Sequence, residues 1–161
     1  MAASDGSPRI AVPATDVRPR HRQVLYPDIF AERMVGRVKH ALGDMFGLRN
    51  FGVNLTRLAP GAISALRHMH TLQDEFIYVL EGSPTLVTDV GEMLLGAGYC
   101  AGFPAGGVSH QLVNRTLAEV IYLECGDRTR GDRVDYPDDN MVAMLGADGV
   151  WTFTYADGRP Y

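Results

Sequence analysis

Short apolar segments that alternate with turn-forming residues run through residues 48–125, at intervals of about ten residues. The segments are rich in Val, Ile, Leu, Tyr and Phe, and Gly, Pro, Asp and Asn separate them. In order they are FGVNLTRL, AISALRHMH, EFIYVLEG, SPTLVTDV, GEMLLGAGY, HQLVNRT and AEVIYLECG. This pattern leaves almost no room for helices and predicts an all-β sandwich or barrel.

The segment EFIYVL is apolar on both faces of a strand. Ile77 and Val79 share one face, and Phe76, Tyr78 and Leu80 share the other. We expect the first face to line the interior and the second to meet another sheet or a second subunit. The sequence therefore predicts a homodimer that covers exposed strands.

The two ends of the chain differ from its middle. Residues 1–27 contain several prolines among small and polar residues, so we expect an extended N-terminal arm that lies over the barrel or reaches a partner subunit. Residues 28–161 are predicted to form one barrel domain, which begins with a short helix and a strand over 28–42. Near the C-terminus, WTFTY lies between two Asp-Gly turns and suits an edge strand or a segment that covers a partner subunit.

Histidines and one carboxylate mark the interior of the predicted barrel. His68 and His70 are two residues apart, so in a strand both point to the same side. Such a pair alone is a weak signal, and an exposed pair is an equally good interpretation. Glu75 opens the next strand on the face of Ile77, although Gln73 and Asp74 are rival oxygen donors.

A third histidine favours an interior site over an exposed histidine pair. His110 follows a Gly/Pro-rich turn in GYCAGFPAGGVSHQLVN, residues 98–114, and opens another strand. Three histidines and one carboxylate that reach one apolar interior are hard to explain as packing. Imidazole with carboxylate suits a divalent transition metal.

These residues resemble the two sequence motifs of the cupin superfamily. The matching residues of the first motif are Gly61, His68, His70, Glu75 and Gly82, and those of the second are Gly98, Pro104, Gly106, His110 and Asn114. The short spacer over residues 83–97 is similar to that of microbial cupins. Two intervals, Gly61 to His68 and Gly106 to His110, are one residue longer than usual, and Gly107 is an alternative to Gly106.

The resemblance implies a jelly-roll barrel, the double-stranded β-helix, with core motifs over 50–125. It implies one divalent metal ion (Zn, Mn, Fe, Ni or Co) bound by His68, His70, Glu75 and His110, with two coordination positions left for water or substrate. Glu75 is favoured over its neighbours because it occupies the motif position before Gly82.

The wider sequence is similar to small bacterial cupins described as sugar-phosphate-isomerase-like. That likeness implies a metal-dependent isomerase of a small polar molecule such as a sugar phosphate, in which the metal lowers the cost of an enediolate. No general base can be named from the sequence. An Fe or Mn dioxygenase and a non-catalytic cupin that binds a small ligand are the alternatives, because fold does not decide function.

Charge and composition restrict the partners. A net charge of -4 and a pI of about 5.7 argue against nucleic acid, and no apolar run reaches the length of a membrane span. The first residues lack the pattern of a secretory signal, so a cytoplasmic protein with two reduced thiols is expected. Arg57, Arg67 and Arg115 are interpreted as surface ion pairs, and Tyr78 and Tyr122 as packing residues.

Overall fold

The fold is known from a computed structural model that describes residues 10–20 and 25–161. Within these residues the strands are β1 Arg37–Ala41, β2 Phe51–Leu58, β3 Met69–His70, β4 Glu75–Glu81, β5 Thr85–Thr88, β6 Gly91–Leu94, β7 Cys100–Phe103, β8 His110–Val113, β9 Val120–Asp127, β10 Arg133–Tyr136, β11 Met141–Leu145 and β12 Trp151–Tyr155. The helical segments are two 3₁₀ helices, Ala14–Asp16 and Asp28–Met34, and the short α1, Leu42–Met45.

The strands form the two walls of an antiparallel barrel. One wall is a five-stranded sheet in the order β1-β2-β9-β4-β7. The other contains β12-β11-β10-β3 and β6-β5-β8, which are connected by isolated bridges between Ile63 and Val113 and between His68 and His110. The all-β jelly-roll prediction is confirmed, as is the short helix before β1.

The predicted strand over 62–70 is largely irregular, and only Met69–His70 is a regular strand. Ser64 explains the interruption. Its hydroxyl accepts the backbone N–H of Leu112 at 2.8 Å, while its carbonyl accepts a hydrogen bond from the Arg37 guanidinium at 2.7 Å. A side-chain acceptor thus replaces a carbonyl of the strand ladder.

Two apolar clusters support the barrel. The first lies between the walls and includes Leu58, Val79, Leu112 and Val120. The second packs the 3₁₀ helix Asp28–Met34 against the β10–β11 sheet through its buried Phe30 and Met34, together with Leu66 and Met141. These clusters hold the two walls at a fixed spacing around the site between them.

The described part of the N-terminal arm lies beside β1. The Arg20 backbone N–H donates to the Lys39 carbonyl at 2.9 Å, and the Val17 carbonyl lies 2.6 Å from Nδ1 of His40. These contacts cover the exposed edge of the five-stranded sheet. The rest of the predicted arm, 1–9 and 21–24, lies outside the described residues, and the boundary at residue 27 stays a prediction.

Strand β4 has one buried and one exposed apolar face. Ile77 and Val79 are 7% and 0% exposed, as predicted for the interior face. Phe76, Tyr78 and Leu80 are about 40% exposed, so no second sheet among the described residues covers them. At the opposite end of the chain, β12 pairs with β11 at the edge of its sheet, as predicted. No helix among the described residues is long and apolar enough to cross a membrane.

Candidate metal centre

Three imidazoles converge on one carboxylate inside the barrel. The Nε2 atoms of His68, His70 and His110 lie 3.2, 3.5 and 3.0 Å from Oε2 of Glu75. His68 and His110 are direct cross-strand neighbours through their bridge, and Glu75 enters from the first residue of β4. His68, His70 and Glu75 each offer a ligand atom within 4.8 Å of the others, as a shared metal ion requires.

The second nitrogen of each ring is held by an acceptor. Nδ1 of His68 donates to the Leu66 carbonyl at 2.8 Å, and Nδ1 of His110 lies 3.3 Å from the Val108 carbonyl. Because a carbonyl can only accept, a proton on Nδ1 satisfies this bond, and the lone pair of Nε2 is then available to a metal ion in place of the hydrogen bond to Glu75. Neutral imidazoles in this tautomer are the form that binds a metal.

Asp132 holds the third ring and was missed by the sequence interpretation. Its Oδ2 lies 2.5 Å from Nδ1 of His70, and its Oδ1 accepts the Leu72 backbone N–H at 2.8 Å. The side chain is completely buried. A carboxylate behind a histidine ligand orients the ring and makes it a stronger base. Asp132 is 62 residues from His70, so no local spacing marks it.

The rival oxygen donors point elsewhere. The Gln73 amide donates to the Thr129 carbonyl at 2.7 Å, and Oδ1 of Asp74 accepts the Ala105 backbone N–H at 2.8 Å. The cross-strand neighbour of Glu75 is Gly126, where an added Cβ would lie at an ordinary van der Waals distance of 3.6 Å from Cγ of Glu75.

The longer turn before His110 leaves the ring at the centre. Gly106 has a φ of +70° and its N–H donates to the His70 carbonyl at 2.8 Å, whereas Gly107 is not left-handed. Both positions therefore require glycine: Gly106 for its left-handed backbone, and Gly107 because an added Cβ would lie 2.8 Å from the Pro104 carbonyl oxygen. The ring of Phe103 stacks on His110 with centroids 3.5 Å apart, which restricts the imidazole further.

Burial and charge act in opposite directions at the centre. Burial lowers the pKa of His68, although the Glu75 carboxylate opposes that shift. Burial would raise the pKa of Glu75, but hydrogen bonds with His110 and His68 and the nearby imidazoles outweigh it and hold the pKa well below its usual value. A neutral imidazole and an ionised carboxylate are both ligand forms.

A cavity of about 200 Å³ connects the centre to a polar group on the five-stranded sheet. Arg37 and Lys39 of β1 and Tyr122 and Glu124 of β9 line this opposite wall. Four large side chains line both this cavity and a neighbouring, more open pocket, so they lie towards its mouth, namely Leu25, Tyr26, Trp151 and Phe153. The candidate metal ligands thus line one side of the cavity and charged side chains line the other, and the side chains towards the mouth are mainly aromatic.

Glu124 is the centre of that polar group. Its Oε1 accepts hydrogen bonds from Nζ of Lys39 at 2.6 Å and from Nδ2 of Asn54 at 2.9 Å. Its Oε2 accepts one from the Tyr122 hydroxyl at 3.2 Å. Asn54 thus bonds to a cavity carboxylate, and Tyr122, which is buried as predicted, bonds to the same carboxylate.

The remaining arginine predictions are confirmed. Arg57 pairs with Glu119 at 2.5 Å, Arg115 pairs with Glu92 at 2.5 Å, and Arg67 pairs with two aspartates. Arg67 points away from the two histidines, as strand alternation predicts. The cavity instead uses Arg37 and Lys39, which the sequence interpretation did not select.

Comparison with known proteins gives the family. The sequence pattern of the cupin domain matches residues 54–125, the span that contains both motifs. A solved structure from Silicibacter pomeroyi DSS-3, a sugar phosphate isomerase from a cupin superfamily, is 43% identical, with a TM-score of 0.88 over 94% of this chain and 96% of that chain. The chain belongs to the cupin superfamily. A search of curated proteins found no match.

This cupin is similar to two further solved structures. One, from Acidithiobacillus ferrooxidans ATCC 23270 and named as a provisional sugar phosphate isomerase, is 28% identical, with a TM-score of 0.71 over 88% of this cupin and 98% of that chain. The other, a polyketide cyclase from Streptomyces resistomycificus, is 25% identical, with a TM-score of 0.60 over 73% and 78%. Different names on one fold mean that the site must decide the function.

Proposed function

We propose that this cupin is a metal-dependent isomerase of a small sugar phosphate, with one divalent ion held by His68, His70, Glu75 and His110. The names of the Silicibacter and Acidithiobacillus proteins give the substrate class. Three nitrogen donors and one oxygen donor suit Zn, Mn, Fe, Ni or Co. When bound, such an ion would polarise a substrate carbonyl as a Lewis acid.

The proposal depends on one observation, namely that the carboxylate of Glu124 lines the cavity. An aldose–ketose isomerisation needs a base outside the metal ligands. Among the described residues that line the cavity, Glu124 is the one remaining carboxylate. The phenols cannot replace it, because burial raises the pKa of Tyr26, Tyr122 and Tyr136. Arginine stays protonated and cannot accept a proton.

Register gives Glu124 a position beside the centre. Ile77 is its cross-strand partner, and Glu75 precedes Ile77 by two residues on the same inner face. Diagonal neighbours of this kind have Cα atoms about 7–8 Å apart, which leaves room for a substrate between the carboxylates. Oε2, which accepts a hydrogen bond from the Tyr122 hydroxyl, would accept the proton from the carbon beside the carbonyl and return it to the carbonyl carbon. The substrate's hydroxyl proton would at the same time move from the hydroxyl oxygen to the carbonyl oxygen.

Metal binding is tested without a substrate. We expect wild-type protein to contain about one equivalent of a divalent metal by elemental analysis, and His68→Ala and His110→Ala to lose it. His40→Ala is the matched control, because His40 lies on β1 beside the arm. Full metal content in both site variants would contradict the proposed ligands.

The reaction is tested by deuterium exchange. Protein loaded with Mn, Zn, Fe, Co or Ni is incubated in D₂O with aldose and ketose phosphates, and NMR follows deuterium uptake and interconversion. We expect Glu124→Gln to keep its metal and lose about 10²–10⁴ of the rate, while Glu119→Gln, on the surface, remains active. No exchange with any metal and sugar phosphate would overturn the isomerase. Oxygen uptake by the Fe or Mn form would support the dioxygenase instead.

The exposed face of β4 favours a second copy of this chain as its cover. Phe76, Tyr78 and Leu80 form an apolar strip beside the β7 edge. We expect a dimer by light scattering after size exclusion, and dissociation in Tyr78→Glu. A monomeric wild-type protein would exclude the dimer.

The free thiols of Cys100 and Cys125 suit a reducing compartment such as the cytoplasm.

A further inference from the structure

A second pocket, of about 850 Å³, lies beside the mouth of the cavity. The start of the 3₁₀ helix Asp28–Met34 and the turn before β12 form two of its walls. Because most of its large side chains are rings, we call it the aromatic groove. It shares four lining residues with the cavity, namely Leu25, Tyr26, Trp151 and Phe153. A ligand in the cavity can therefore extend into the groove.

Three aromatic side chains of β12 form a row that leads away from the metal centre. Trp151, Phe153 and Tyr155 are two residues apart, so they share one face of the strand and span about 13 Å. The Trp151 ring meets His70 edge-on, with centroids 6.3 Å apart, and the Tyr155 ring stacks on Tyr161 at 4.1 Å. The row offers one apolar wall to an elongated ligand whose inner end reaches the histidines.

The groove leaves apolar side chains in contact with water. Ile29 is 67% exposed and Val150 is 56% exposed, and both line the groove. Apolar groups that cluster in a concave pocket gain free energy when a ligand removes them from water. The aromatic walls favour a flat occupant, because a ring beside other rings adds edge-to-face or offset-stacked contacts to the area that it buries.

The charge of the groove disfavours an anionic occupant. Among the described residues that line it, Asp28 has the only charged side chain. An anion would be repelled by this carboxylate and would find no cation in the lining. Asp28 is exposed to water, which also screens its attraction for a cation. A neutral ring is therefore the occupant that the groove suits best.

We infer that the aromatic groove is a subsite for a neutral, planar aromatic ring that the substrate carries, while the polar end of the substrate lies at the metal centre. The inference rests on the proposed function for that polar end, and it makes the substrate a sugar phosphate that bears an aromatic ring. Trp151 lies where the two parts meet, since it lines both the cavity and the groove.

The groove is tested by titrating 2-naphthol, a neutral two-ring probe, into the full-length protein. Trp151 is the only tryptophan of the sequence, so its fluorescence reports binding, and calorimetry gives the affinity independently. We expect wild-type protein to bind 2-naphthol, and Ile29→Ser and Val150→Ser each to weaken binding about three- to tenfold, because each removes an apolar contact. Both side chains are exposed, so the variants retain the fold.

Val35→Ser is the matched control for these variants, because Val35 is 72% exposed and lies outside the groove. It should bind 2-naphthol as the wild type does. Unchanged affinity in both groove variants would overturn the inference, and so would a wild-type protein that binds no 2-naphthol.

Two analogues of the probe identify the occupant. Decahydro-2-naphthol has a similar size without aromatic rings, and naphthalene-2-sulfonate carries a negative charge, so we expect each to bind about three- to tenfold more weakly than 2-naphthol. Equal affinity for the saturated analogue would assign the groove to aliphatic chains. Dissociation of a dimer in the groove variants, measured by light scattering, would assign it to a second copy of the chain. Either result overturns the inference.

The connection between the ring and the polar end is tested on metal-loaded protein with hydroxamates, which chelate metal ions. We expect 4-(2-naphthyl)butanohydroxamate to bind about tenfold more tightly than butanohydroxamate, and Val150→Ser to reduce that gain. Equal affinity of the two hydroxamates would separate the groove from the substrate and overturn the inference. The isomerase reaction is measured separately by deuterium exchange, so its failure is distinguishable from an empty groove.

Discussion

Oδ2 of Asp132 lies 2.5 Å from Nδ1 of His70, which makes a completely buried carboxylate the partner of a central imidazole. We expect Asp132→Asn to weaken metal binding about 10–100-fold, because the amide neither fixes the ring as firmly nor raises its basicity. Competition against a chromophoric chelator measures the change. Asp135→Asn is the control, since Asp135 lies three residues further along, on β10, and pairs with Arg133. Equal affinity in the two variants would argue against the role of Asp132.

Gly82 occupies a position that only glycine fits. Its φ is +79°, and an added Cβ would lie 2.6 Å from the Glu119 carbonyl oxygen. We expect Gly82→Ala to lower the free energy of unfolding by about 3 kcal/mol or more, through backbone strain and this clash. Gly98→Ala is the matched comparison, with a φ of +89° and open space, and should cost about 1–2 kcal/mol. Urea unfolding that gave equal losses would show that the carbonyl moves aside.

Arg67 links two turns through Asp89 and Asp138. The hydrogen bond from Arg67 lowers the pKa of Asp138, and bonds from Ser109 and Arg67 lower that of Asp89. A lowered carboxyl pKa stabilises the fold above the ordinary value of 3.8, and this contribution disappears as pH falls through the folded-state pKa. We therefore expect Arg67→Gln to be less stable than wild type at pH 7 by at most about 1 kcal/mol, and the two to converge in acid.

Thermal melts between neutral pH and pH 3 test this convergence. Arg159→Gln serves as the control, because Arg159 is 73% exposed and pairs only locally with Asp157. A stability difference for Arg67→Gln that stayed constant with pH would assign its effect to packing of the side chain rather than to charge.

Features that depend on neighbouring residues could be predicted from the sequence, whereas features that depend on strand pairing could not. Strand alternation and motif spacing are local, so they predicted the barrel and brought His68, Glu75 and His110 to one place. Asp132 and Glu124 could not be predicted, because their positions depend on which strands pair. Asp132 directly precedes β10, whose pairing with β3 brings it behind His70, and β9 places Glu124 between β2 and β4.

The irregular segment before β3 could not be predicted either, because its conformation also depends on distant residues. Its composition suits a strand, yet the Ser64 hydroxyl and Arg37 take over bonds of the ladder. Only the partner strand and the distant guanidinium determine that outcome. Arg37 and Lys39 were missed for the same reason, since nothing local in RVKHA indicates which face of β1 meets a cavity.

The four central residues lie on or beside the barrel strands, whereas the mouth is formed by Tyr26 and Leu25 before the barrel and by Trp151 and Phe153 on the edge strand β12. Edge strands and flanking segments tolerate substitution better than interior strands do. A lineage of such proteins can therefore diverge in the molecules it admits while its inner chemistry is inherited unchanged. Exchanging these flanking segments between relatives is accordingly a direct route to altered selectivity.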